Sequence, residues 1–143
     1  MSSRTGLVAA VAFALGLTAH AFMVPTTVTA QAARRVFEIR TYTTAEGKLP
    51  DLHARFRNHT MRIFEKHGMT NIGYFAPQDG PLAEHTLIYV IAHDSREAAV
   101  KNWAAFRADP EWQKVNADSN ANGQIVLKVD SVFADATDYS PLK

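Results

Sequence analysis

The residue types best suited to chemistry occur together in the segment Glu38-x-Arg40-x-Tyr42. Because side chains alternate along a strand, this spacing places all three on one strand face. A guanidinium beside a phenol can donate hydrogen bonds to an anion or a carbonyl group, so Arg40 and Tyr42 are candidate ligand-binding residues. The alternative is a structural network in which these side chains pair with Lys128 and Asp130 of a neighbouring strand.

The histidines are numerous, but their spacing does not predict a metal site. Apart from His20, they are His53, His59, His67, His85 and His93. No two of these have the i, i+4 spacing of a zinc-binding helix, so no metal is predicted. His59 lies near the apolar stripe of a predicted helix, where it could act as a base or a ligand if a pocket exists there. The alternative is a partly buried histidine bonded to a backbone carbonyl.

The aromatic residues add further candidates without indicating a reaction. Tyr42 and Tyr74 join His59 as candidate catalytic residues, and Trp103 and Trp112 join Arg40, Tyr42 and His59 as candidate ligand-binding residues. For the two tryptophans, packing in the core is the alternative. The sequence has no Ser-His-Asp spacing, glycine-rich phosphate loop or paired carboxylate motif, so the catalytic residues stay unknown.

The N-terminal segment has the features of a secretory signal peptide. A basic start precedes a short apolar run over residues 6–17, and small residues precede possible cleavage points after Ala21 and Ala32. We predict a signal peptide of residues 1–32 and a protein that is exported, either periplasmic or secreted. An uncleaved membrane anchor is the alternative, although Pro25 interrupts the apolar run. After cleavage no membrane attachment is expected.

Composition excludes several classes of function. The chain has no cysteine, which excludes disulfides and thiolate chemistry. Its 15 Lys and Arg residues nearly balance 14 Asp and Glu residues, so it lacks the basic field that binding to nucleic acid or an anionic membrane requires.

Apolar spacing and capping signals predict the elements that position these residues. They are strands at 36–43, 69–75, 87–92 and 125–133, a helix at 48–67, a helix ending near 108 and a short helix from 109. The main order is β-α-β-β-α-β, a ferredoxin-like α+β unit with an antiparallel sheet and both main helices on one face. In that topology the last strand lies beside the first, and we expect Arg40 opposite Asp130.

The alternation of the first strand also predicts which face the helices cover. Phe37 and Ile39 point one way, and Glu38, Arg40 and Tyr42 point the other. The apolar side is expected against the helices, and the polar side on the opposite face of the sheet.

Three segments resemble the NIPSNAP family: Glu38-x-Arg40-x-Tyr42, residues 68–73, and Asp109-Pro110-Glu111-Trp112. The resemblance covers residues 36–133 and implies a ferredoxin-like domain at 36–137. Proteins of this type pair two sheets into a dimeric α/β barrel, which would also cover the apolar central strand, so a homodimer is expected; a monomer is the alternative.

The resemblance does not imply a reaction, and three functions stay open. The first is a homodimeric domain that binds a small apolar ligand or a protein partner. The second is a cofactor-independent monooxygenase or isomerase acting on a small aromatic or polyketide-like substrate. The third, haem binding through a histidine, is a minor possibility, and otherwise no cofactor is predicted.

Overall fold

The structure, a computed structural model, describes residues 35–142, so the predicted signal peptide lies outside the described residues. The strands are β1 (Val36–Thr44), β2 (Thr70–Phe75), β3 (Thr86–His93) and β4 (Val126–Asp135). The helices are α1 (Leu49–Arg55), a π-helical segment (Phe56–Thr60), α2 (Met61–Lys66), α3 (Leu82–His85), α4 (Arg96–Ala108) and α5 (Pro110–Ser119). Within these residues no helix is both long and apolar enough to cross a bilayer.

The four strands form one antiparallel sheet in the order β2-β3-β1-β4. This order and the β-α-β-β-α-β sequence of elements confirm the predicted ferredoxin-like fold. The pairing of β2 with β3 shifts between Asn71 and Gly73, as it does at a β-bulge. A side chain at Gly73 would meet the exposed Phe75 ring at 2.8 Å, so that ring would have to move. The short helix α3 was not predicted.

The prediction of which face of β1 meets the helices was wrong. Glu38, Arg40 and Tyr42 lie on the helix-covered face, where they sit opposite the buried β3 residues Ile91, Tyr89 and Leu87, respectively. Phe37 and Ile39 lie on the other side, which we call the open face. The apolar side of β1 therefore faces away from the helices, because the polar side chains find hydrogen-bond partners in the helix layer.

The predicted pairing of Arg40 with Asp130 was also wrong. Arg40 pairs with Ser131, and Asp130 lies opposite Thr41. Both errors come from placing Arg40 on the wrong face of the sheet. Paired residues share a face and neighbouring residues of a strand lie on opposite faces, so Arg40 on the helix-covered face pairs with Ser131 and not with Asp130. Asp130 is on the open face and forms an ion pair with Lys128 at 2.7 Å, so neither residue contacts the polar row of β1.

The core lies between the sheet and the first helical run, from α1 to α2. Its members are Leu49, Leu52, Phe56, Ile63, Phe64, Met69, Leu87, Tyr89, Ile91, Phe106 and Ile125. The ring of Phe64 contacts Phe56, Tyr89, Trp103 and Phe106 with centroid separations of 5.0–6.0 Å. These edge-on and tilted contacts fix α2 against both β3 and α4.

The predicted caps explain where α4 and α5 begin. The Ser95 hydroxyl accepts a hydrogen bond from the Ala98 amide, and Asp109 accepts one from the Glu111 amide with Pro110 in the first turn. The Asp109 carboxylate also bonds Lys66 at 2.7 Å, which holds its pKa well below the usual range. None of the residues of α5 is fully buried, so the helix is held mainly from this end and by partly buried side chains.

Candidate ligand-binding site

Glu38 is the centre of a hydrogen-bond network below α4. Its side chain is only 1% exposed. One carboxylate oxygen, Oε2, lies 2.7 Å from Trp103 Nε1 and 3.0 Å from His93 Nε2. The other, Oε1, accepts bonds from Ser131 Oγ at 2.6 Å and Arg40 Nη1 at 2.5 Å. These donors come from β1, β3, α4 and β4, so hydrogen bonds to one carboxylate connect three strands and one helix.

The network keeps Glu38 ionised. Burial acts to raise its pKa, but the hydrogen bonds from His93, Ser131, Trp103 and Arg40 outweigh burial and lower the pKa to about 2. A carboxylate with so low a pKa is a poor general base, so we assign Glu38 a positioning role.

Arg40 is held between Glu38 and two aromatic rings. Its guanidinium carbon lies 4.3 Å from the centre of the Trp103 ring and 5.6 Å from that of Tyr42. Its Nε is buried and has no hydrogen-bond partner within residues 35–142. This donor is therefore unpaired within the domain, while the side chain as a whole keeps 15% of its surface exposed.

A hollow of about 570 Å³ lies beside this arginine, between the helix-covered face of β1 and β4 and helices α4 and α5. We call it the Arg40 hollow. Its aromatic walls are Trp103, Phe106, Trp112 and Phe133. Its polar groups come from Glu38, Arg40, Tyr42, Arg96, Arg107 and Ser131. The hollow thus combines apolar walls with a few directed polar atoms, as small-molecule sites do.

The structure brings together four of the five predicted ligand-binding residues: Arg40, Tyr42, Trp103 and Trp112 all line the Arg40 hollow. His59 is not among the residues that line it. The tryptophans are half-buried and also pack against the core, so their alternative role is confirmed, and their role in ligand binding stays a prediction.

His59 does not point between helix and sheet as predicted, nor is it partly buried. It is exposed, in the π-helical segment. Hydrogen bonds from i to i+5 turn the chain less per residue than those of an α-helix, so the apolar stripe passes through Thr60 and His59 is carried outward. Periodicity of an ordinary helix could not have predicted this.

The other two catalytic candidates are separated from each other as well. Tyr42 lines the hollow, and its hydroxyl accepts a hydrogen bond from Tyr89 at 3.0 Å. Tyr74 stacks on Tyr89 with a centroid distance of 5.5 Å and donates its hydroxyl proton to Asn71. Burial raises the pKa of Tyr74, which keeps this phenol neutral.

Sequence reasoning missed His93, Ser131 and Phe133 as site residues. His93 is buried, and its Nδ1 lies 3.3 Å from the Asn102 amide nitrogen while Nε2 contacts Glu38. The ring of Phe133 carries the Arg96 guanidinium 3.4 Å above its centre. The only signal for Phe133 in the sequence was the apolar alternation that placed it in the last strand. In the part of the chain described, no three metal-ligating side chains cluster together.

The sheet order and the helices on one face define a ferredoxin-like α+β domain. The NIPSNAP family model matches residues 37–141, and the chain belongs to the NIPSNAP family. A comparison with curated proteins gives no match.

Solved structures share the fold at low sequence identity. A NIPSNAP family protein with unknown function from Agrobacterium tumefaciens is 22% identical, with a TM-score of 0.67 over 78% of this chain and 96% of that one. A NIPSNAP-like domain protein from Burkholderia xenovorans is 18% identical, with a TM-score of 0.66 over 76% and 90%. SnoaB, a cofactor-independent oxygenase from Streptomyces nogalater, is 11% identical, with a TM-score of 0.51 over 76% and 99%.

Proposed function

We propose that this NIPSNAP protein is an exported homodimer that binds a small aromatic ligand in the Arg40 hollow. The observation that carries the proposal is the partly exposed guanidinium of Arg40 at a hollow walled by four aromatic side chains. Its charged N–H groups can donate to a ligand acceptor while the rings pack against the body of the ligand.

The chemistry of the walls indicates the class of ligand. Glu38 pairs with Arg40, and Arg96 and Arg107 also line the hollow, so its polar groups are mainly donors and suit an acceptor such as a carbonyl oxygen. Trp103 and Trp112 offer ring faces and edges to an aromatic body. An aromatic ketone of one or two rings matches both features.

Binding is better supported than catalysis. Of His59, Tyr42 and Tyr74, Tyr42 alone lines the hollow, and its hydroxyl lies in a hydrogen bond with Tyr89. Oxygenase or isomerase chemistry would need a base within reach of the ligand. Haem would need a histidine at the hollow, and among the described residues that line it there is none.

The homodimer is supported by the open face of the sheet. Three of its apolar side chains are exposed in a single copy, with Ile39 39%, Phe75 57% and Val132 61% exposed, although Phe37 is buried. A patch of this kind on a sheet marks an interface, and sheet-to-sheet packing with a second copy would cover it. The open face, not the polar row, would therefore lie inside the barrel.

We expect the bicyclic ketone 1-tetralone to quench tryptophan fluorescence saturably, because both tryptophans of the chain line the Arg40 hollow. Phe133→Ala should raise its dissociation constant about tenfold, since it removes one aromatic wall. Tyr139→Ala, which removes an aromatic side chain that is 84% exposed, is the matched control and should leave the constant unchanged. Equal affinities in all three proteins would refute binding in this hollow.

Export is tested on the intact protein. When the full-length chain is expressed in a bacterial host, we expect its mass to correspond to a chain that begins at Ala33. Replacing Ala32 with Tyr should block that cleavage, because signal peptidase requires a small residue there. A mature chain that begins at Phe22 would identify the earlier site, and a chain still carrying residues 1–21 would contradict the signal peptide.

A further inference from the structure

A second hollow of about 480 Å³ lies on the other side of Trp112, between α1, α5 and β4. We call it the Arg55 hollow. Tyr42 and Trp112 line both hollows, whereas Trp103 and Phe133 line only the Arg40 hollow. The walls here are the Trp112 ring, Val126, Val129 and the amide side chains of Asn116 and Gln124.

Arg55 is the charged residue of this hollow, and its charge is not balanced. The residue is only 6% exposed, and its Nε is buried without a hydrogen-bond partner among residues 35–142. Within the same residues, no carboxylate lies within ion-pair distance, and the one polar contact of the guanidinium is from Nη1 to Ser119 Oγ at 3.2 Å. The Trp112 ring, 5.4 Å away, compensates only partly.

A buried arginine without an anion is costly, because its charge has lost water and gained little in return. Burial accordingly lowers the pKa of Arg55, although Tyr42 and Tyr89 oppose this. Arg40, by contrast, has Glu38 as its partner at 2.5 Å. The domain therefore holds one partly buried arginine that is paired, Arg40, and one buried arginine that is unpaired, Arg55.

The local helix geometry keeps Arg55 in this position. Arg55 is the last residue of α1, and the π-helical segment starts at Phe56. The Thr60 hydroxyl bonds the Arg55 carbonyl at 3.3 Å, five residues back. Both Arg55 and Phe56 are buried, so the arginine lies on the inner side of the helix while Arg57 is exposed. π-helical turns of this kind are frequent at functional sites.

We propose that the Arg55 hollow binds the carboxylate of a small monocarboxylic acid whose apolar body lies against Trp112 and Val129. The guanidinium donates charge-assisted hydrogen bonds, which are strongest to a carboxylate. One unpaired positive charge among neutral amides fits a single negative charge, so a monoanion is favoured over a doubly charged phosphate. This proposal stands on Arg55 and does not depend on the ligand of the Arg40 hollow.

The test compares cyclohexylacetate with cyclohexylacetamide, which has the same body without the charge. We expect calorimetry on the full domain to give an acid affinity at least about tenfold above that of the amide. In the nitrogen–proton spectrum the acid should move the indole resonance of Trp112 and leave that of Trp103 in place, because only Trp112 lines the Arg55 hollow.

Arg55→Met should abolish the preference for the acid, and Arg57→Met, which removes the same charge from an exposed position of the same helical run, should preserve it. The proposal would be overturned if the acid and the amide bound equally or if the acid did not bind. It would also be overturned if the preference for the acid survived in Arg55→Met or if the acid shifted the indole resonance of Trp103. If Arg55→Met does not fold, the affinities of the wild-type protein for the acid and the amide, together with the two indole resonances, still test the proposal. The 1-tetralone experiment tests the Arg40 hollow through Phe133, which does not line the Arg55 hollow. A failure of that experiment is therefore distinguishable from a failure of carboxylate binding at Arg55.

Discussion

Replacing Glu38 with alanine is expected to lower the free energy of unfolding by about 3–5 kcal/mol, the cost of removing one partner from a buried ion pair. The change leaves the donors of Arg40, His93, Trp103 and Ser131 without their acceptor; of these residues His93 is fully buried, and Arg40 and Trp103 are partly buried. Since a domain of this size is stable by about 5–15 kcal/mol, the variant should be near the limit of folding. Urea unfolding followed by circular dichroism measures the change.

The matched control for this substitution is Glu97→Ala. Glu97 is an exposed carboxylate in the first turn of α4, so its loss should change stability by only about 0.5 kcal/mol. Similar effects of the two substitutions would show that the Glu38 network contributes little.

The same carboxylate should give the protein a characteristic dependence on pH. The folded-state pKa of Glu38, about 2, lies below its ordinary value, so its ionised form stabilises the fold. That contribution is complete above the unfolded-state pKa, near 4.5, and is lost as the pH falls from there towards 2. The wild type should therefore lose more stability across this range than Glu38→Gln, provided that the variant folds.

Replacing Ile39 with aspartate is expected to convert the proposed homodimer into monomers. Two-fold symmetry places the change in the interface twice, and each buried, unpaired charge costs about 3–5 kcal/mol. Because about 1.4 kcal/mol corresponds to a factor of ten, the dissociation constant should rise by a thousandfold or more. Sedimentation velocity over a range of concentrations measures it.

The control for the interface lies on the opposite side of the domain. Val100 is 67% exposed on α4, so Val100→Asp adds the same charge away from the open face and should leave a dimer intact. A wild-type protein that is monomeric at all concentrations would contradict the barrel arrangement itself.

The order of the elements could be predicted from the sequence because its signals are local. Ser95 and Asp109 begin their helices as capping residues do, and Gly73 marks the bulge. The resemblance of the Glu38-x-Arg40-x-Tyr42 segment to the family also pointed to the correct fold.

The orientation of β1 could not be predicted, because it depends on contacts between distant segments. Glu38 is acceptable on the inner face only since His93, Trp103 and Ser131, which are 55, 65 and 93 residues away along the chain, supply donors. The general rule that carboxylates lie on the protein surface does not hold when several hydrogen-bond donors surround the buried carboxylate. The position of His59 was missed for a different reason, since a π-helical turn has no clear sequence signal.

The way α5 is attached has a consequence for how the two hollows exchange their contents. This helix forms a wall of both hollows, and none of its residues is fully buried; Asp109 and Glu111 pair with Lys66 at its start, and Ser119 bonds Arg55 at its end. Its detachment separates Trp112 from Phe106 but breaks no strand pairing, so we expect it to open at a smaller free-energy cost than the sheet does. Exchange of a molecule bound in either hollow would then be a local event that does not require unfolding of the domain.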